Sequence, residues 1–355
     1  VERRDDQERG GGVMSIGGVA RRVRAYGGQF LLLAALTLAV TLLISAAPRV
    51  VNGHTQEGLR RSLAAQPAER RDLTYSTDPL FNAGNGTSLL AAYEGDLSSL
   101  QAGMPPDVRA MVDQRWFTAE TDVSRLTGPD LAAKNLLVDL GLRAMPGVRE
   151  AGTLVEGRWP DESTAAGQPM QVALAVSVAR KLNLRVGSRL TLASAPPGAG
   201  GRPYTPEVAE NPPEPVPISV VGLFEPREGA DGIWQGLPST LRVVEPKGDG
   251  EPFVALGVVD GTALDRLSAQ GWGLRFSWRY RLGTDDIDAR KLDQLIDSIQ
   301  QMSREAQGRN FVQGLDIPLR AFAAEVDAAR TVLAVIAAGV LAALAGLVVL
   351  AAALT

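Results

Sequence analysis

The sequence predicts an α+β domain held between two membrane-spanning helices. Two long apolar runs stand at the ends: "FLLLAALTLAVTLLISAAP" begins at Phe30 and "TVLAVIAAGVLAALAGLVVLAAALT" at Thr331. Between them, short strand-like and helix-like stretches alternate in an ordinary soluble composition broken by proline and glycine.

The first run carries no charge from Ala25 to Pro48, and the second none from Thr331 to Thr355. A bilayer core takes about 20 apolar residues as helix, so each is long enough to span. A buried soluble helix of that length would show a polar face, and neither does. Arg21, Arg22 and Arg24 with Ser45-Ala46-Ala47 look like parts of a secretory signal. The apolar stretch, however, exceeds the usual core of about 7–15 residues, and Pro48 would follow the cut, so an uncleaved anchor is expected. Residues 1–28 hold six arginines against four acidic groups. The positive-inside rule then leaves the N-terminus in the cytoplasm and exports the middle.

Composition removes several classes of chemistry. The chain has no cysteine, one histidine (His54) and a net charge of -4. Disulfides, thiolate metal sites and a broad nucleic-acid-binding surface are thereby excluded. None of Lys134, Lys181, Lys247 and Lys291 follows a glycine, and Gly-x-Ser-x-Gly and Ser-x-x-Lys are absent. Asp285, Asp286 and Asp288 precede a predicted helix, where capping accounts for them. No catalytic, cofactor-binding or metal-binding residue is predicted, and no enzymatic activity is expected.

Along the exported segment, "HTQEGLRRSLAA" reads as a helix with Leu59 and Leu63 on one face, stopped by Pro67. "DPLFNAGNGTS" is turn-rich, and its Asn85-Gly86-Thr87 sequon is too short a pattern to weigh. Helices are expected from Leu89 to Leu100, and from Pro105-Pro106 to near Trp116. Beyond Phe117, "QVALAVS" reads as a strand leading into the helix "VARKLNL". "SRLTLAS" is a strand with Leu190 and Leu192 on one face. Ala195 to Pro217, rich in Pro, Gly and acid, reads as a mobile loop. "ISVVGLFEP", "FVALGVVD", a helix from Thr262 to Ala269, "LRFSWRYRL" and a helix from Ile287 to Glu305 complete an α+β fold in two lobes. After Pro318 nothing breaks a helix, so one is expected from Leu319 to the chain end. Its first dozen residues would rise roughly 18 Å above the bilayer. Ala338, Ala342 and Gly346 form a small-residue ridge on it, at a spacing that an alanine-rich segment produces by chance.

The expected organisation is a cytoplasmic segment 1–28, a span 29–48 and an exported domain 49–318 with a loop at 195–217. A stalk 319–330 and a second span 331–355 follow.

"LVEGRWPDES", "QVALAVSVARKLNLRVGSRLTL" and "ISVVGLFEPREGADGIW" carry one ordered pattern. It comprises a Gly-Arg-Trp-Pro turn, a strand and helix, a Val-Gly-Ser strand start, and a Val-Val-Gly strand followed by a tryptophan. From Val155 to about Trp234 it resembles the extracytoplasmic core domain of FtsX-like, MacB-type ABC transporter permeases. The resemblance implies a MacB-type periplasmic core-like domain in a multi-pass protein of the bacterial cell membrane. A separate cytoplasmic ABC ATPase subunit would drive it, with a second permease copy or paralogue and membrane lipid as further partners. It implies that stalk helices pass ATPase motion to exported domains acting on lipids, lipoproteins, peptides or cell-wall hydrolases. The family carries at least two further spans, so the chain is expected to be the N-terminal part of such a subunit. A double-anchored scaffold or binding protein without an ATPase is the alternative.

Overall fold

The computed structural model describes Ala34, Thr37, Leu38 and Thr41, then residues 55–80, 88–161, 168–193, 214–285, 287–306 and 309–353. The chain divides into two units, residues 1–57 and 58–355. In the first, the described residues are helical, and the Thr41 hydroxyl donates to the Thr37 carbonyl at 2.7 Å. The rest of the expected first span lies outside the described residues, as do His54, the Asn85 sequon, Asp286 and most of the expected loop at 195–217.

The second unit is built on one connected sheet of eleven strands. In chain order these are β1 (Asp72–Ser76), β2 (Val112–Thr121), β3 (Ser124–Thr127), β4 (Val138–Ala144), β5 (Gly152–Gly157) and β6 (Met170–Ala175). Then follow β7 (Arg189–Leu192), β8 (Val216–Pro226), β9 (Phe253–Val258), β10 (Leu274–Leu282) and β11 (Asn310–Val312). The main helices are α1 (Leu89–Ala102), α2 (Pro106–Ala110), α3 (Val176–Leu182), α4 (Gly261–Ala269), α5 (Leu292–Glu305) and α6 (Asp316–Ala353).

The sheet has two topologically different halves. Strands β11-β1-β10-β2 lie side by side, all antiparallel. With α1 and α2 between β1 and β2, and α5 between β10 and β11, this is the split β-α-β arrangement of ferredoxin-like folds. Everything from β3 to β9 is inserted between its second and third strands. That insert closes on itself: β4 pairs β3, then β7, β8, β6 and β9 follow, and β9 returns to β4 in parallel over Val138–Arg143. Strand β5 adds to β8. Within the sheet the halves are joined by two residue pairs of β2 and β4, Ala119 with Ala144 and Glu120 with Arg143. The two expected lobes are thus halves of one sheet.

Both faces of the ferredoxin-like half are covered. Leu274, Phe276, Trp278, Tyr280 and Leu282 of β10 are buried on one face, where alternation puts every second side chain. Tyr93 of α1 stacks on Phe276 with ring centroids 4.4 Å apart. Trp278 Nε1 donates to Tyr93 O and the Tyr280 hydroxyl to Leu97 O, each at 2.7 Å. Here the aromatic residues fill the core and anchor α1 by their polar tips. Helix α5 buries Leu292, Leu295, Ile296, Ile299 and Met302, a stripe at helical spacing.

Several expectations change. Pro106 opens a helix that ends at Ala110, and Trp116 lies inside strand β2. Trp116 and Phe117 are both buried, one on each face, so the alternation that marks a half-exposed strand is missing there. The stretch from Ile287 enters a 3-10 turn at Ala289–Lys291 before α5 begins at Leu292. Asp288 caps that turn by accepting from Arg290 N at 3.0 Å, the role expected for this carboxylate. Val216 and Pro217, assigned to the loop, already belong to β8.

Candidate functional site

The motif residues converge on one packed corner. Gly157 ends β5 with φ +75°, and a Cβ there would lie 2.1 Å from Val221 O. The chain crosses β8 this closely because Arg158 N donates to Val221 O at 2.9 Å. A Cβ on Gly222 would meet Arg158 O at 2.2 Å from the other side. Both glycines therefore serve close backbone approach. The Trp159 ring then packs on Phe224 and Phe224 on Trp234, with centroids 5.4 and 5.6 Å apart. Trp234 Nε1 donates to Ala151 O at 2.8 Å. Beside this corner lies a cleft of about 540 Å³ bordered by Arg149, Glu150, Trp159, Asp161 and Asp260. Arg149 is committed to Pro160 O at 2.8 Å and Asp260 to the N-terminus of α4. The described residues that line it include no serine, threonine, cysteine, histidine or lysine.

The residues from Asp231 to Leu241 form two short helical turns, Asp231–Gly236 and Pro238–Leu241, between β8 and β9 of the ring. This strap lies over the second face of the ferredoxin-like half, on a buried polar layer. Arg281 of β10 faces Asp72 of β1 directly in register and binds it through Nε–Oδ1 at 2.7 Å and Nη2–Oδ2 at 3.1 Å. Its Nη1 donates to Gly232 O, and its guanidinium lies over the Trp116 ring. Arg143 of β4 holds Glu120 of β2 at 2.6 Å and donates to the Thr240 hydroxyl. Arg279 donates to Gly236 O. Three guanidinium groups thus meet two carboxylates. Burial lowers the pKa of Arg279, and the charge of Arg143 lowers it further. The layer satisfies Arg281 and Arg143 with carboxylates but leaves Arg279 Nε and Trp116 Nε1 without a partner, so it ties the strap to the strands while carrying one guanidinium in excess. Sequence reading missed all five of these ionic residues, because each partner lies in a different strand.

The long helix leaves the domain from a fixed base. Gln313 Oε1 accepts from Leu315 N and Asp316 N at 2.8 and 2.9 Å, capping α6. Leu315 and Leu319 are buried, and Phe322 and Ala323 pack on the same core. A Cβ on Gly58 would lie 3.4 Å from the Phe322 ring, so this unit begins beside the place where α6 leaves it. Helix α6 then continues unbroken to Ala353, with nearly every described side chain beyond Val326 exposed. Val332, Val335, Ile336, Leu341 and Val349 are among them. Asp316–Gly346 is the one helix among the described residues long and apolar enough to cross a membrane. No group of His, Cys, Asp and Glu that could hold a metal occurs among the described residues.

Comparison with known proteins adds little to this geometry. No protein-family model and no curated protein matches the chain. Among solved structures, the periplasmic region of MacB from Actinobacillus actinomycetemcomitans aligns over 72% of this chain and 95% of its own, at 14% identity and a TM-score of 0.30. A domain ascribed to a permease protein from Porphyromonas gingivalis aligns over 69% and 90%, at 16% identity and a TM-score of 0.28. Overlap this low decides neither fold nor function.

Proposed function

We propose that this chain is the N-terminal part of an FtsX-like, MacB-type ABC permease subunit, and that α6 is the lever linking its membrane segment to an exported α+β domain. The observation that carries the reading is the continuity of α6 from a capped, buried base at Asp316 to Ala353. At about 1.5 Å per residue its 38 residues extend about 57 Å, enough for a span and a stalk together. A rigid rod rooted in a core passes rotation and tilt to that core, whereas a jointed linker would dissipate them. The ordered Gly-Arg-Trp-Pro, Val-Gly-Ser and Val-Val-Gly pattern supports the family assignment.

In this reading the N-terminus is cytoplasmic and the domain extracytoplasmic. A separate ATPase supplies the work, a second permease copy or paralogue completes the assembly, and the domain transmits force without catalysis.

The test is a proline at Ala324, just past the docked turns, in a full-length permease paired with its ATPase. Proline there removes a backbone hydrogen bond and clashes with a carbonyl, at about 3 kcal/mol or more locally. ATP hydrolysis should persist while the exported function is lost, and Ala324→Gly, at about 1 kcal/mol, should be milder. Full transport-linked activity in a correctly inserted Ala324→Pro protein would reduce α6 to an anchor.

A further inference from the structure

A second cleft of about 540 Å³ lies between the segment Gln66–Arg71, the end of β8 at Pro226, and the strap. Its charged wall is made by Arg71 and Arg242 against Glu69, and its apolar floor by Trp234 and Leu241. We propose that this cleft binds a phosphate group, with Arg71 and Arg242 as its ligands.

The observation that singles it out is the Arg71 side chain, half-buried in the cleft wall with its Nε enclosed and no side-chain hydrogen bond among the described residues. Leaving a donor of a charged group out of water and unbonded is costly. Arg60 and Arg279 also carry an unpartnered Nε, yet each uses another guanidinium nitrogen on a backbone carbonyl, of Asp285 and Gly236 respectively. Arg143 and Arg281 are held by carboxylates. Among the described residues, Arg71 forms no side-chain bond at all, and neither does Arg242.

Two uncommitted guanidinium groups lining one cleft fit an anion better than a cation or a neutral ligand. The planar fork of arginine matches phosphate oxygens through paired N–H donors. Glu69 leaves the wall one positive charge in excess, which suits a phosphodiester. The floor of Trp234 and Leu241 accommodates an apolar stem beside the phosphate. The same chemistry is offered by an anionic phospholipid headgroup and by free phosphate. The site rests on residues of the exported domain alone and stands or falls apart from the permease reading.

The full chain in maltoside micelles is titrated with inorganic phosphate and, separately, with phosphatidylglycerol against phosphatidylcholine, following the unfolding midpoint. A ligand that binds only the folded protein raises that midpoint with concentration. A rise with phosphate assigns the site to the free anion, and a rise with phosphatidylglycerol alone assigns it to a lipid headgroup. In either case Arg71→Gln should abolish the rise, and Arg242→Gln should weaken the apparent affinity by about tenfold or more. Arg242 is exposed, so its variant reports on binding even if Arg71→Gln folds poorly. Lys247→Gln, away from the cleft, should bind as the parent does. No rise with either ligand, or the same rise in the parent and the Arg242→Gln variant, overturns the proposal.

Discussion

Asp72 and Arg281 stand opposite each other on β1 and β10, 209 residues apart in sequence, joined by two side-chain bonds in a nearly water-free layer. Removing one partner leaves a buried charge uncompensated, which typically costs 3–5 kcal/mol. Asp72→Ala should therefore lower stability by about 3 kcal/mol or more in chemical denaturation. A loss below about 1 kcal/mol would mean that water reaches Arg281.

Arg279 should behave in the opposite way. It is desolvated, lies near Arg143 and has no carboxylate of its own. Arg279→Met keeps the volume and removes the excess cation, so stability should change by less than about 1 kcal/mol or rise. A loss comparable to that of Asp72→Ala would show that the bond to Gly236 O anchors the strap.

Two glycines of the motif separate backbone strain from steric clash. Gly187 has φ +89° with open space around its Cβ position, so Gly187→Ala should cost only about 1–2 kcal/mol. Gly157 adds a Cβ position 2.1 Å from Val221 O, so Gly157→Ala must part β5 from β8 and should cost distinctly more. Equal midpoints for the two variants would contradict the close crossing.

Alkaline unfolding should report on two tyrosines. Burial raises the pKa of Tyr75 to about 12 and pushes that of Tyr280 higher still. Below pH 10 both states are protonated and these groups contribute their full stability. Above pH 10 the unfolded chain loses the proton first, so stability falls by about 1.4 kcal/mol per pH unit per tyrosine, until the folded pKa is reached. Ultraviolet titration should show two phenols ionising only with unfolding. Phenols that all ionise near pH 10 in the folded protein would place Tyr75 and Tyr280 in water.

Topology is open to a direct check. A reporter inserted near Gly200 should be active only outside the cytoplasm, and one at the N-terminus only inside. Reversed activities would invert the orientation drawn from Arg21, Arg22 and Arg24.

The sequence by itself determined what local pattern encodes. An uncharged apolar run after Thr331, with no breaker between Pro318 and it, suffices for a long helix, because helical hydrogen bonds close within four residues. The helix in fact begins at Asp316, with Pro318 in its first turn, where a missing N–H costs nothing. The helix expected toward Glu305 and the strands around Leu190 and Val220 were legible because the spacing of their apolar residues is itself a local pattern. Tertiary structure decided the rest. The segment around Trp116 is a strand because β10 pairs with it and both of its faces are covered, which erases the period of two that marks a half-buried strand. That six strands close into a ring inserted within another fold depends on register between segments far apart in the chain. The pairing of Asp72 with Arg281, and the isolation of Arg71, arise from which strands and turns happen to meet. A charge carries no mark in sequence of the partner it will find or lack, since its energy depends on burial and distance, and only the folded chain sets those.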